Sequence, residues 1–157
     1  MDWKQLAKKI AEEGDLNLFT YKGFICLIIR RGDNSLDRNK NYEEISQGKL
    51  FHLCGYVGIP EGHILFNVND LGDLPIECHG GITFCGFHCN INLPQNIRWL
   101  GFDCAHVHDL VMRGFIKNGA FSGDTYRDLE YVYNEVKSIV DQITSAEFEV
   151  KWKTRNL

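Results

Sequence analysis

Apolar residues recur every third or fourth position in two stretches of the chain, and alternate or run together in the stretches between. Near the start, Trp3, Leu6, Ala7 and Ile10 share one helical face, lysines and glutamates fill the others, and Gly14 ends the pattern. This predicts a short surface helix over residues 2–13. Much later, Leu129, Val132, Tyr133, Val136, Ile139, Val140 and Ile143 make a stripe at i, i+3, i+4 and i+7, which predicts a longer helix. Thr125 and Asp128 have the spacing of a capping box before it, and Asp124 adds a carboxylate near its positive end. The stripe is expected to pack on a sheet, although Tyr126 and Tyr133 beside it would also suit the seam of a homo-oligomer.

Between the helices the pattern is that of strands. Leu18, Phe19 and Tyr21, then the run from Phe24 to Ile29 beyond Lys22-Gly23, predict a hairpin whose second strand is central. Residues 30–41 are polar and aperiodic, a surface loop, and a short helical stretch follows near Tyr42 to Gln47. The segments LFHLCGYVGIP, GHILF, IECHGGITFCG and IRWLGFDCAH are apolar runs broken by Gly, Pro, Asn and Asp, and read as strands joined by turns. A last alternation sets Phe148, Val150 and Trp152 against Glu149, Lys151 and Lys153, and predicts a terminal edge strand. The order helix, strands, helix, strand implies an α+β fold: a mainly antiparallel sheet with an N-terminal helix and a long C-terminal helix packed on it.

Composition narrows the function classes. At 157 residues, 44% hydrophobic and 24% charged, residues 1–157 match one packed globular domain. A formal charge of −4 supplies no basic field for long nucleic acid, while a short anion needs only a few local donors. The opening residues show neither the n-region nor the h-region of a signal peptide, and no apolar run approaches membrane-spanning length. A cytoplasmic protein without membrane association is expected, with its six cysteines reduced and mostly buried.

Candidate chemistry concentrates between Glu77 and Asp109. His79 precedes the pair Gly80-Gly81, and residues without Cβ let backbone N–H groups face a concavity that holds an anion. Asp103, His106 and Asp109 follow a strand-like segment at spacings of three. His106 and His108 would share a face of an extended piece, and with His79, Asp103 and Asp109 they suggest a zinc or manganese set. Cys85-x-x-His88-Cys89 lacks a second half, however, and the balance favours ordinary polar histidines with no bound metal or cofactor. Without metal, His79 and His106 have the pKa range for acid–base work, with Asp103 or Glu77 orienting a ring. Cys78 beside His79 and Cys104 near His106 are the cysteines placed for nucleophilic catalysis. Templates with G-x-S-x-G, a P-loop or G-x-G-x-x-G are absent.

Three blocks carry a resemblance: His79-Gly80-Gly81-Ile82-Thr83-Phe84; Trp99 to His106 closing on Asp109; and Tyr126-Arg127-Asp128 followed by Tyr131-Val132 and Glu135. Together they resemble an uncharacterised family of small proteins from phages and prophages. A glycine commonly stands in that family where this chain has His108, which leaves His79, Asp103, His106 and Asp109 as the matching polar positions. The phage context implies a protein that counters host immunity by binding and sequestering a nucleotide-derived messenger. On that reading Gly80, Gly81 and Arg98 or Arg30 would meet phosphate, aromatics including Trp99 would meet the base, His79, Asp103 and His106 would meet ribose or base edges, and Asp109 would belong to the same ligand-binding set. The alternatives are a phosphodiesterase, with His79 and His106 as base and acid and Asp103 orienting one of them, and a host-protein inhibitor that uses the 30–41 loop.

Overall fold

The first helix, α1 (Trp3–Glu13), forms where the spacing predicts it. Its N-cap Asp2 accepts from the Gln5 N–H, the Gln5 side chain answers the Asp2 N–H, and Gly14 closes the other end. The structure is a computed structural model that describes residues 2–31, 52–72, 74–87, 96–111 and 123–155. The predicted helix at 42–47, and all of the 30–41 loop beyond Arg31, lie outside the described residues.

The aromatic and β-branched runs become an antiparallel sheet. Strand β1 (Leu16–Tyr21) turns at Lys22-Gly23, both at positive φ, into β2 (Phe24–Arg31), as the hairpin signal implies. Strands β3 (His52–Pro60), β4 (Phe84–Gly86) and β5 (Ile97–Asp103) complete the order β1-β2-β3-β5-β4, every neighbouring pair antiparallel. The predicted α+β class holds. The sheet buries both faces of its centre: Cys26, Ile28, Leu53, Val57, Leu100 and Phe102 on one side, Leu27, Cys54, Tyr56 and Trp99 on the other.

The long helix, α2 (Leu129–Ile143), covers the first of these faces with Val132, Val136, Ile139, Val140 and Ile143, all buried. It approaches closely because β3 carries Gly55 at the crossing: a Cβ there would lie 2.6 Å from Val136 Cγ2 and 2.7 Å from the Phe102 ring. The apolar stripe is therefore the chain's own core. Its N-cap is Asp128, which accepts from the Tyr131 N–H, so the Thr125–Asp128 capping box does not form. Thr125 instead makes a parallel bridge with Asp109.

Two predicted elements change type. The GHILF segment, expected as a strand, forms successive turns, with the His63 N–H on the Pro60 carbonyl at 3.2 Å and the Phe66 N–H on the His63 carbonyl at 2.9 Å. Residues 148–152 belong to a helix, α3 (Ala146–Arg155), and not to an edge strand. Alternation over five residues also satisfies an i, i+4 pattern, and here that pattern wins. The Phe148 and Trp152 rings stack at 6.4 Å, Glu149 pairs with Lys153 at 2.6 Å, and Glu147 pairs with Lys151 at 3.5 Å. Val150, which the alternation groups with Phe148 and Trp152, is exposed.

Because Val136 is fully buried against Gly55 and Phe102, Val136→Asp should leave no cooperative thermal transition by circular dichroism, its unpaired carboxylate costing more than about 4 kcal/mol. Gly55→Ala should remain folded but lose about 1–3 kcal/mol through overpacking. A folded Val136→Asp chain that is merely dissociated would make the stripe an oligomer seam.

Candidate functional site

Three chain segments converge beside the start of α2. Cys78 to Gly81 form a turn closed by the Gly81 N–H on the Cys78 carbonyl at 2.9 Å. The loop after β5 brings in His106 and Asp109, and backbone bonds between Leu110 and Thr125 and between Thr125 and His108, both 2.8 Å, tie that loop to the approach of α2. The first turns of α2 and the residue before its cap supply Tyr131, Glu135 and Arg127.

Asp109 is the centre of this arrangement. Its side chain is 1% exposed, yet each oxygen is used: Oδ1 accepts from Arg127 Nε at 2.9 Å, and Oδ2 accepts from His79 Nε2 at 2.7 Å and from the His106 backbone N–H at 2.9 Å. Burial pushes its pKa up, but the bonds from Arg127, His79 and the His106 N–H outweigh that, and the carboxyl is held below its ordinary value. His79 is fixed at both nitrogens. With Nε2 donating to Asp109, Nδ1 is left to accept the Tyr131 hydroxyl at 3.0 Å, while the His79 backbone N–H donates to Glu135 Oε2 at 2.7 Å.

His106 is different. Its ring lies against Gly80, where a Cβ would sit inside the imidazole, and its centroid is 5.3 Å from that of His79. Nδ1 is buried without a hydrogen-bond partner among the described residues, 3.6 Å from Asp109 Oδ2 and 3.9 Å from Asp103 Oδ1. Asp103 stands at the rim, where it accepts from the Thr83 hydroxyl and the Ala105 N–H. The structure thus brings His79, His106 and Asp109 together, with Asp103 beside them. The carboxylate that orients His79 is Asp109, and neither Asp103 nor Glu77 plays that part.

Several predicted residues lie elsewhere. Trp99 is completely buried in the core on one face of the sheet, with no exposed surface to offer a base. Arg98 sits toward the opposite end of β5, its Nε on Cys85 Sγ at 3.0 Å and its Nη2 on Asn69 at 3.2 Å. Arg30 is buried in a network with Glu13 and the Tyr126 hydroxyl, so it is a structural cation. His108, at φ 71°, turns its ring out toward Asp124, which breaks the His106-x-His108 pair. Cys78 and Cys104 are poor nucleophiles, because burial pushes the Cys78 thiol to about 12 and that of Cys104 higher still. The described cysteines are free, and Cys85-x-x-His88-Cys89 runs outside the described residues.

Arg127, Tyr131 and Glu135 gained no role from spacing alone. Their only signal was the third resemblance block, in which they recur beside the histidine and aspartate blocks. Arg127 spends Nε on Asp109 and lies over the Tyr131 ring at 4.9 Å, while its Nη groups meet no partner among the described residues. An open cleft of about 640 Å³ shares His79 and Tyr131 with the cluster and is lined further by Glu77, Glu135, Gln142 and Lys151. A second, more apolar groove between α1, β1 and α2 contains none of the cluster residues. No described helix is long and apolar enough to cross a membrane. Searches against family models, curated proteins and solved structures find no match.

Gly80 and Gly81 both have positive φ, but only Gly80 is covered by a ring. Alanine at either should cost about 1–2 kcal/mol in backbone strain. Gly80→Ala should also displace His106, seen as a further drop in melting temperature and a shifted imidazole resonance. Equal behaviour of the two variants would contradict the packing of His106 on Gly80.

Proposed function

We propose that the chain binds and sequesters a small phosphate-bearing, nucleotide-type molecule at the His79–Asp109–Arg127 cluster and its adjoining cleft. The observation that carries this reading is the division of labour around Asp109. The buried carboxylate locks His79 and one edge of Arg127, and leaves the outer guanidinium and the His106 ring, 26% and 34% exposed, as donors at the surface. A guanidinium whose two Nη groups meet no partner among the described residues suits phosphate oxygens. The Glu77 carboxylate and the second oxygen of Glu135 offer acceptors for hydroxyl and amino groups, and the cleft has the volume range of small-molecule sites.

Sequestration is favoured over cleavage by the state of His79. A two-histidine acid–base mechanism needs both rings to exchange protons with the substrate, and both nitrogens of His79 are already engaged within the protein. The likeness to small phage and prophage proteins supports a nucleotide messenger of antiviral immunity as the ligand and a host cytoplasm as the setting.

The test is retention. The protein is incubated with a panel of cyclic nucleotides, freed of excess ligand and denatured, and the released molecule is analysed. Intact nucleotide is expected, and Arg127→Met should weaken its binding by about 1.5–3 kcal/mol, the scale of a charge-assisted hydrogen bond. Fragments would establish a phosphodiesterase instead, and failure to retain or alter any member of the panel would remove the nucleotide reading.

A further inference from the structure

The cluster contains an arrangement that hydrogen bonding does not explain. One donor atom from each of His79, His106 and Asp109 lies within 4.8 Å of the other two. The buried Nδ1 of His106 faces two carboxylates, Asp109 at 3.6 Å and Asp103 at 3.9 Å, and bonds to neither. If Nδ1 is unprotonated, its lone pair lies near two negative charges. If it is protonated, its hydrogen reaches no acceptor among the described residues, since 3.6 Å exceeds hydrogen-bond distance. The spacing is instead that of two ligands of one ion: donors about 2.0–2.1 Å from a tetrahedral zinc stand about 3.3 Å apart.

We infer that His79 Nε2, His106 Nδ1 and Asp109 Oδ2 form a site for a divalent transition metal of the zinc type. Two imidazoles and a carboxylate are the donor set that favours such ions over magnesium or calcium, which take oxygen shells. Metal binding requires the His79 proton to move from Nε2 to Nδ1, and the Tyr131 oxygen, 3.0 Å away, is placed to accept it. Arg127 on Oδ1 holds the carboxylate with Oδ2 toward the imidazoles. Tyr131 and Arg127 are thus positioning residues of the kind that fix metal ligands from behind. Three protein ligands leave a coordination position open in a tetrahedral ion, and Asp103, 3.9 Å from His106 Nδ1, is a further carboxylate near the donor set. The site stands on this geometry alone, whatever organic molecule the cleft takes.

The whole protein, stripped with chelator, is titrated with Zn²⁺ by calorimetry and with Co²⁺ by visible absorption, no nucleotide being present. One ion per chain is expected, with a Co²⁺ spectrum of mixed nitrogen and oxygen ligation. His106→Ala should abolish uptake while keeping a cooperative melting transition, shifted down by the loss of ring packing on Gly80, since the ring it removes makes no hydrogen bond through Nδ1 among the described residues. Tyr131→Phe should weaken Zn²⁺ by about tenfold, and His108→Ala should bind as the wild type does. Absence of uptake by the wild type overturns the site. So does unchanged uptake by folded His106→Ala, which would place the ion on the cysteines. Nucleotide retained by metal-free protein would uphold the sequestration reading, and stoichiometric zinc without nucleotide retention would uphold the metal site alone.

Discussion

A single buried carboxylate organises the polar end of this protein. Asp109 is almost wholly removed from water, and a charge in that position is tolerated only when its oxygens are occupied. Three donors from three places in the chain occupy them: the His79 ring, the His106 backbone and the Arg127 guanidinium. Each bond fixes something further. The first sets the tautomer of His79 and, through it, the Tyr131 hydroxyl. The second closes the loop after β5, and the third couples that loop to the start of α2. Removing one partner of such a group typically costs about 3–5 kcal/mol, so the knot is at once structural and the scaffold of the site.

The sheet and α2 make this knot geometrically available. Gly55 lets α2 lie directly on β3 and Phe102, and the depth of that contact sets how near Tyr131 and Glu135 come to the Cys78–Gly81 turn. Gly80 plays the corresponding part on the surface side, because the His106 ring occupies the space a side chain would need. Two close approaches, one in the core between β3, α2 and Phe102 and one at the site between the 78–81 turn and His106, thus position the cluster.

The two arginines nearest these networks show how context divides one chemistry into two uses. Arg30 is sealed beneath Glu13 and Tyr126, where it ties α1 to β2 and to the approach of α2, and Glu13 also accepts the Leu129 N–H. Among the described residues Arg127 bonds only through Nε, and it keeps its outer face partly in solvent. Only the second can meet a ligand without leaving a buried carboxylate unpaired.

By itself the sequence determined the elements whose signal is local and periodic. The capped first helix, the Lys22-Gly23 hairpin, the apolar stripe of α2 and the α+β class all follow from spacing over a few residues, where side-chain period and backbone period must agree. Where two periods agree equally well, as over residues 148–152, local pattern was insufficient, and i, i+4 pairing together with ring stacking decided for helix. Tertiary structure alone decided which polar residues meet. His79, His106 and Asp109 were legible as candidates, but Trp99, Arg98 and Arg30 looked equally suitable and are consumed by the core or by pairs of their own. Arg127, Tyr131 and Glu135 carry no spacing that ties them to His79, since the contact spans more than a turn or strand and exists only once α2 has docked on the sheet. Burial of Asp109 is likewise a property of the packed fold, and that burial forces its neighbours to converge.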